Sequence, residues 1–194
     1  MKKKQVKVIG VSYSQSQMGS YIVVLSEIKG KRKLPLIVKP ADAQQIALKI
    51  EGIKSPRPLT HDLFKSLTDS FEIDIQEIYI YSVLEGIFYS KIIATNGLDE
   101  VEIECSVGDG VSLSLVYDCP IYVSKSVLDS AGIVISDDGS KIEDIDELDE
   151  DEDTGEVKHI SVDDLEKLMQ GALENEEYEI AAEIRDRIQT LKGE

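Results

Sequence analysis

An α+β domain followed by a small helical appendage is the fold class the sequence predicts, and three observations lead there. Three strand-like runs and then a helix-like run occur twice, over 6–51 and 75–118. In each copy an aspartate, Asp42 or Asp109, lies about 35 residues after the first strand begins, an offset expected of an internal repeat. The charge is also segregated. Residues 1–136 hold 15 Lys+Arg against 16 Asp+Glu, whereas 137–194 hold 6 against 22 and carry −16 of the net −17. The expected organisation is therefore a duplicated β-β-β-α domain over 1–136, an acidic linker over 137–160 and a helical hairpin over 161–194.

The first unit reads as strands "VKVIGVSYS" (6–14), "SYIVVLSEI" (20–28) and "KLPLIVK" (33–39). These are β-branched runs separated by the turn-like stretches "QSQMG" and "KGKRK". "ADAQQIALKIEG" then switches to helical spacing, with Ala43, Ile46, Ala47 and Ile50 on one face and Gly52 as a stop. The connector "GIKSPRPLTHDLFKSL" (52–67) starts stiff, because Ser55 and Arg57 each precede a proline and are pushed out of the α region. Thr60 is the expected N-cap, Asp62 falls in the positive first turn, and Leu59 with Phe64 is placed to form a hydrophobic staple. Helix initiation accounts for most of this motif. His61, one of two histidines in the chain, is left over.

The second unit repeats the order. "IQEIYIYSVL" (75–84), "GIFYSKIIAT" (86–95) and "DEVEIECSV" (99–107) are strands joined by Glu85-Gly86 and Asn96-Gly97. "GDGVSLSLVYD" (108–118) stands where the helix belongs, although Ser112, Ser114, Val116 and Tyr117 have poor helix propensity. Each unit leaves its sheet uncovered, so two packed copies are needed for one core.

Between Asp137 and Asp153 there are eleven acids and one lysine, a block that repels itself and suits an extended or disordered linker. It lacks the spacing of a calcium loop. Residues 162–194 carry two apolar stripes. Leu165, Leu168, Met169 and Ala172 form one; Tyr178, Ala181, Ala182, Ile184, Ile188 and Leu191 form the other. Ser161 with Asp164 resembles an acidic cap, and "ENEE" marks a bend. A hairpin this short has almost no core, so its stripes must meet a copy of itself, the main domain or a partner.

No apolar run approaches the ~20 residues of a membrane span. The basic Met1-Lys2-Lys3-Lys4 start leads straight into a strand pattern instead of a signal-peptide core. Two cysteines, Cys105 and Cys119, suit a reducing compartment and are too few for a zinc site of their own. A cytoplasmic location is expected.

Residues 34–128 resemble the bifunctional nuclease (BFN) domain family through "LPLIVKPADAQQIALKIEG", "SPRPLTHDL", "EGIFYSKI", "GDGVSLSL" and "CPIYVSKSVL". Residues 162–192 resemble the UVR motif, the hairpin through which the excision-repair proteins UvrB and UvrC associate. Its carriers are Leu165-Glu166, Met169, Tyr178-Glu179, "AAEIRD" (181–186) and Leu191-Lys192. Proteins of the BFN family are credited with cleaving RNA and DNA. The resemblance implies catalytic roles for His61, Asp62, Glu85, Glu104 and Asp109, substrate contacts from Arg57 and Tyr89, and Mg²⁺ or Mn²⁺ held by Asp42 and Asp109. It implies a partner surface of Leu165, Leu168, Met169, Ile184, Arg185 and Ile188, and a homo-oligomeric protein. The sequence departs from the family where a D-A-R-P-S-D run reads "ECSVGD" (104–109), so an arginine able to hold phosphate is missing.

Two functions of different class remain open on the sequence. A nuclease needs positioned carboxylates and a general base, which only the fold can assemble here, and the near-neutral main domain lacks the broad basic footprint of a nucleic-acid enzyme. The lysines at 2–4 and "KGKRK" (29–33) give at most a modest phosphate-facing patch. A non-catalytic adaptor that recruits a partner through the hairpin is the rival.

Overall fold

The computed structural model of the chain describes residues 2–14, 19–134 and 160–193. The first unit is β1 (Lys3–Tyr13), β2 (Tyr21–Glu27), β3 (Arg32–Val38) and α1 (Pro40–Ile50). After the connector helix α2 (Thr60–Ser70), the second unit follows as β4 (Asp74–Leu84), β5 (Ile87–Thr95), β6 (Glu100–Cys105) and α3 (Val107–Tyr117). Next come β7 (Ile121–Ser124), α4 (Lys125–Ala131) and β8 (Ile133–Val134), and then the hairpin helices α5 (Val162–Glu174) and α6 (Tyr178–Lys192).

Among the described residues, eight strands form one sheet, in the order β6-β5-β4-β7-β1-β2-β3-β8. The α+β class and the twofold β-β-β-α order are as expected. The sequence did not place β7, which inserts between the two meanders, antiparallel to β1 and parallel to β4. β1 and β4 therefore run in opposite directions, as a twofold axis normal to the sheet would require. Such an axis puts α1 and α3 on the same face, where they pack against each other. Alternate strand residues such as Val23, Leu25, Leu34, Leu36, Ile78 and Ile80 point into the core beneath them.

α3 forms despite its composition because it is buried on nearly all sides. Gly108, Gly110, Val111, Ser112, Leu113 and Ser114 are all buried. A Cβ on Gly110 would come within 2.9 Å of Ile78 Cγ2, so only glycine lets the helix lie this close to the sheet. Ser106 caps the helix, accepting from the Asp109 N–H at 3.1 Å. α2 begins differently from expectation. Its N-cap is Leu59, not Thr60, and Asp62 reaches back to accept from the Leu59 N–H at 3.2 Å. The leucine side chain has no acceptor, so the third-position carboxylate caps the helix alone. Leu59 and Phe64 both pack against the core, whereas Leu63, Leu67 and Phe71 remain exposed.

The basic segments are neutralised in part. Lys3 pairs with Glu77, Lys4 with Glu27 at 3.2 Å, and Arg32 with Glu27 at 3.0 Å and Asp129 at 2.6 Å. The hairpin turn at 29–33 is thus partly a structural brace. The acidic stretch from Asp137 to Asp153 lies outside the described residues.

α5 and α6 form the expected antiparallel pair, with Ser161 accepting from the Asp164 N–H at 3.1 Å as cap. Their apolar stripe is buried within this chain: Leu165, Leu168, Ile184 and Ile188 join the domain's core, and Met169 packs at its edge. Arg185 is exposed and pairs with Asp186 at 2.7 Å. Of the three partners the stripes allowed, the main domain is the one seen.

Candidate functional site

Three helices begin at one place. Asp42 is the third residue of α1, His61 the second of α2 and Asp109 the third of α3. The proline-stiffened approach to α2 delivers His61 there, and the repeat delivers the two aspartates from equivalent helix positions. A cavity of ≈ 260 Å³ lies between them, lined by Asp42, Gln44, Thr60, His61 and Asp109 among others. Glu177 and Ile180 of the C-terminal hairpin complete its wall.

His61 is 9% exposed. Its Nε2 faces Asp109 Oδ1 at 3.5 Å, close enough for an ion pair but long for a hydrogen bond. Its Nδ1 is buried and has no partner among the described residues. A buried ring nitrogen without a partner costs about 1–3 kcal/mol unless water or a ligand meets it. Asp109 is held from its other side by the Ser106 hydroxyl, which donates to Oδ2 at 2.7 Å. The Asp42 carboxyl is pushed above its ordinary range, first by burial and then by the negative charge of Asp109. The two aspartates therefore share helix position but not environment.

The remaining predicted site residues do not join this group. Asp62 accepts from Lys49 at 2.8 Å and lines a neighbouring, more open groove of ≈ 470 Å³. Burial works to raise its pKa, but Lys49 and the Leu59 N–H outweigh that and hold it below the ordinary range. Glu85 occupies the exposed β4–β5 turn with a left-handed φ of 53°. Glu104 accepts from the Tyr81 hydroxyl at 2.9 Å, and Tyr89 stacks at a tilt 6.3 Å from Tyr81. Those three lie on the sheet face turned away from α1 and α3. Arg57 does not line the cavity, and its guanidinium donates to Glu179 at 3.1 Å.

Among the described residues, no three His, Cys, Asp or Glu side chains converge as a metal-ligand set. Asp42 and Asp109 offer the smaller arrangement that Mg²⁺ accepts, one or two carboxylates with water and substrate phosphate completing the shell. The charge of Asp109 felt at Asp42 is one that a divalent cation would relieve.

Sequence reasoning missed Gln44, Glu177 and Ile180. A polar Gln44 inside an otherwise apolar helical face was the available signal for the first. Nothing local points to the other two, which depend on where the hairpin docks.

A family model described as "Bifunctional nuclease domain" matches residues 23–136, and one described as "UvrB/uvrC motif" matches 160–194. Two Mycobacterium tuberculosis relatives, Uncharacterized protein MT1877 from strain CDC 1551 / Oshkosh and Uncharacterized protein Rv1829 from strain H37Rv, are each 33% identical over 137 residues. That alignment covers 71% of this chain and 81% of each relative. No helix among the described residues is long and apolar enough to cross a membrane.

Proposed function

We propose, from the premise that this chain belongs to the bifunctional nuclease domain family and carries a UvrB/uvrC motif behind that domain, that it hydrolyses phosphodiesters of DNA or RNA. The convergence of three helix N-termini on one buried histidine carries the proposal. Helix starts present unpaired N–H groups and positive potential, which suit a phosphate. His61 is placed to take or give a proton, with the Asp109 carboxylate 3.5 Å from its Nε2. Asp42 and Asp109 would hold Mg²⁺ or Mn²⁺, which supplies Lewis-acid polarisation of a phosphoryl oxygen when bound. Arg57 supplies a cation at the approach. Asp62, Glu85, Glu104 and Tyr89 stand outside this chemistry.

The adaptor reading draws on a different observation, the hairpin packed across the cavity with Glu179 occupying Arg57. In that reading the UVR-type hairpin binds a protein partner and no turnover occurs. Self-association has a candidate surface in the exposed Leu63 and Leu67 of α2 and Phe71 at its C-terminal cap.

The test is cleavage of single-stranded and duplex DNA and RNA by the purified full chain with Mg²⁺, Mn²⁺ or chelator. His61→Ala should reduce cleavage by roughly 10²–10⁴-fold, the scale of general acid–base catalysis. Absence of turnover on every substrate and metal would leave the adaptor reading.

A further inference from the structure

The two hairpin helices pack mainly on each other, and their seam rests more thinly on α1 and β1. A buried polar lock holds the seam in place. The side chain of Glu51, fully inaccessible, accepts from the Ile160 N–H at 2.7 Å and from the Arg187 guanidinium at 2.8 Å. Asp164 accepts from the Tyr13 N–H at 2.8 Å, and the Lys167 ammonium lies 4.8 Å from the Tyr13 ring centre. At the helix bend, Gln44 donates to Glu177 at 3.0 Å and Arg57 donates to Glu179 at 3.1 Å. This docking is what makes Glu177 and Ile180 a wall of the His61 cavity.

We infer that the hairpin is an intramolecular gate: docked, it closes the His61 cavity and offers Glu177 and Glu179 to donors that an anionic ligand would use, and released, it admits a polyanion. The closure stands on these contacts alone; only the identity of the ligand, a nucleic-acid strand, rests on the nuclease reading. The two ends of the device differ in strength. The Arg57–Glu179 pair is exposed, with side chains 80% and 52% accessible, so it is weak and displaceable. In the Glu51–Arg187 pair the glutamate is fully buried and the arginine 24% accessible, so losing the arginine leaves an uncompensated charge inside the protein. The ligand thus competes at the mouth, while the lock sets how often the hairpin lifts.

The test uses the full chain and its Arg187→Glu variant, which sets a second carboxylate against Glu51. Hydrogen exchange over 162–192 should accelerate while β2, β4 and β5 stay protected. In the same sample, carbethoxylation of His61 by diethyl pyrocarbonate, mapped by mass spectrometry, should quicken roughly tenfold, in proportion to the open population. If the strands also lose protection, Arg187→Gln replaces that variant with the same expectation. A second arm leaves the lock intact: Glu177→Gln with Glu179→Gln should tighten binding of a fluorescein-labelled single-stranded dodecanucleotide several-fold without faster hairpin exchange. Hairpin exchange that rises with no change at His61 overturns the gate, as does unchanged exchange in both Arg187 variants. Where the natural chain binds the strand, unchanged affinity in the second arm overturns it too; where it does not, the nucleic-acid ligand falls and the first arm decides the gate. Cleavage is read on the same samples: if no sample cleaves while His61 becomes accessible, the nuclease reading fails and the gate stands.

Discussion

The two β-β-β-α units build the same scaffold but start their helices differently. α1 opens with Pro40-Ala41-Asp42-Ala43 behind Lys39 and has no side-chain cap. α3 opens with Val107-Gly108-Asp109-Gly110 behind the capping Ser106. Exchanging both alanines for glycines lets α3 press against Ile78, and brings the Gly108 backbone against the Asp42 carboxylate. The aspartates then diverge. Asp109 is tied by Ser106 and faces His61, whereas Asp42 is more desolvated and feels Asp109 as a like charge. Duplication supplied two carboxylates at matching positions, and small residues around them made one a partner for His61 and the other a strained neighbour.

Breaking that asymmetry should have graded effects. The largest is expected from Asp109→Asn, which removes the negative charge beside His61 and should lower cleavage by roughly 10²-fold, the lower end of an acid–base contribution. Single-turnover rates with the folded variant would check this. Next, Gly110→Ala should destabilise the domain by about 1–3 kcal/mol, since Ile78 is fully buried and cannot readily give way. The mirror change, Ala43→Gly in α1, removes a fully buried methyl and adds backbone freedom, at a cost of about 1 kcal/mol or somewhat more. Urea unfolding of both variants compares the two helices directly. Ser106→Ala should cost about 1 kcal/mol through loss of the cap, while Lys39→Ser, which offers α1 the cap it lacks, should not destabilise.

The smallest effects concern pH, and their signs oppose. The folded-state pKa of Asp42 is raised from 3.8, so its contribution is fully present below that value and is lost as pH rises through the folded pKa. Asp42→Asn should therefore gain stability over the natural chain at neutral pH and lose that advantage in acid. Asp62 is lowered from 3.8, so its contribution is present above that value and is lost as pH falls through the folded pKa. Asp62→Asn should be the less stable chain at neutral pH. Thermal unfolding at pH 3 and pH 7 reads both.

Much of the fold was legible because strand alternation and helical spacing were strong in both copies, and the repeat reinforced each. The second helix was the weak point in sequence, since Ser112 and Ser114 argue against a helix that burial on nearly every side nevertheless stabilises. β7 was hidden because "IYVS" is only four residues long and has meaning only between β1 and β4. At the site, His61, Asp42 and Asp109 could be singled out because each sits at a helix start. Glu85, Glu104 and Tyr89 came from motif resemblance alone, and strand parity sends the last two to the opposite face. The hairpin stripe was read correctly as seeking a surface, but Glu51, which buries the lock, looks like any helix-end glutamate in the sequence.

The most direct test places the ligand at one of these two faces. With ¹⁵N-imidazole and ring-¹³C tyrosine labelling, the ring signals of His61, Tyr81 and Tyr89 can be followed as a hydrolysis-resistant phosphorothioate oligonucleotide is added to the full chain. His61→Ala identifies the resonance. A substrate site at the three helix starts predicts saturable shifts of the His61 nitrogens. Saturable binding that leaves His61 unmoved while perturbing Tyr81 and Tyr89 would contradict it, and would move the nucleic-acid site to the far side of the sheet.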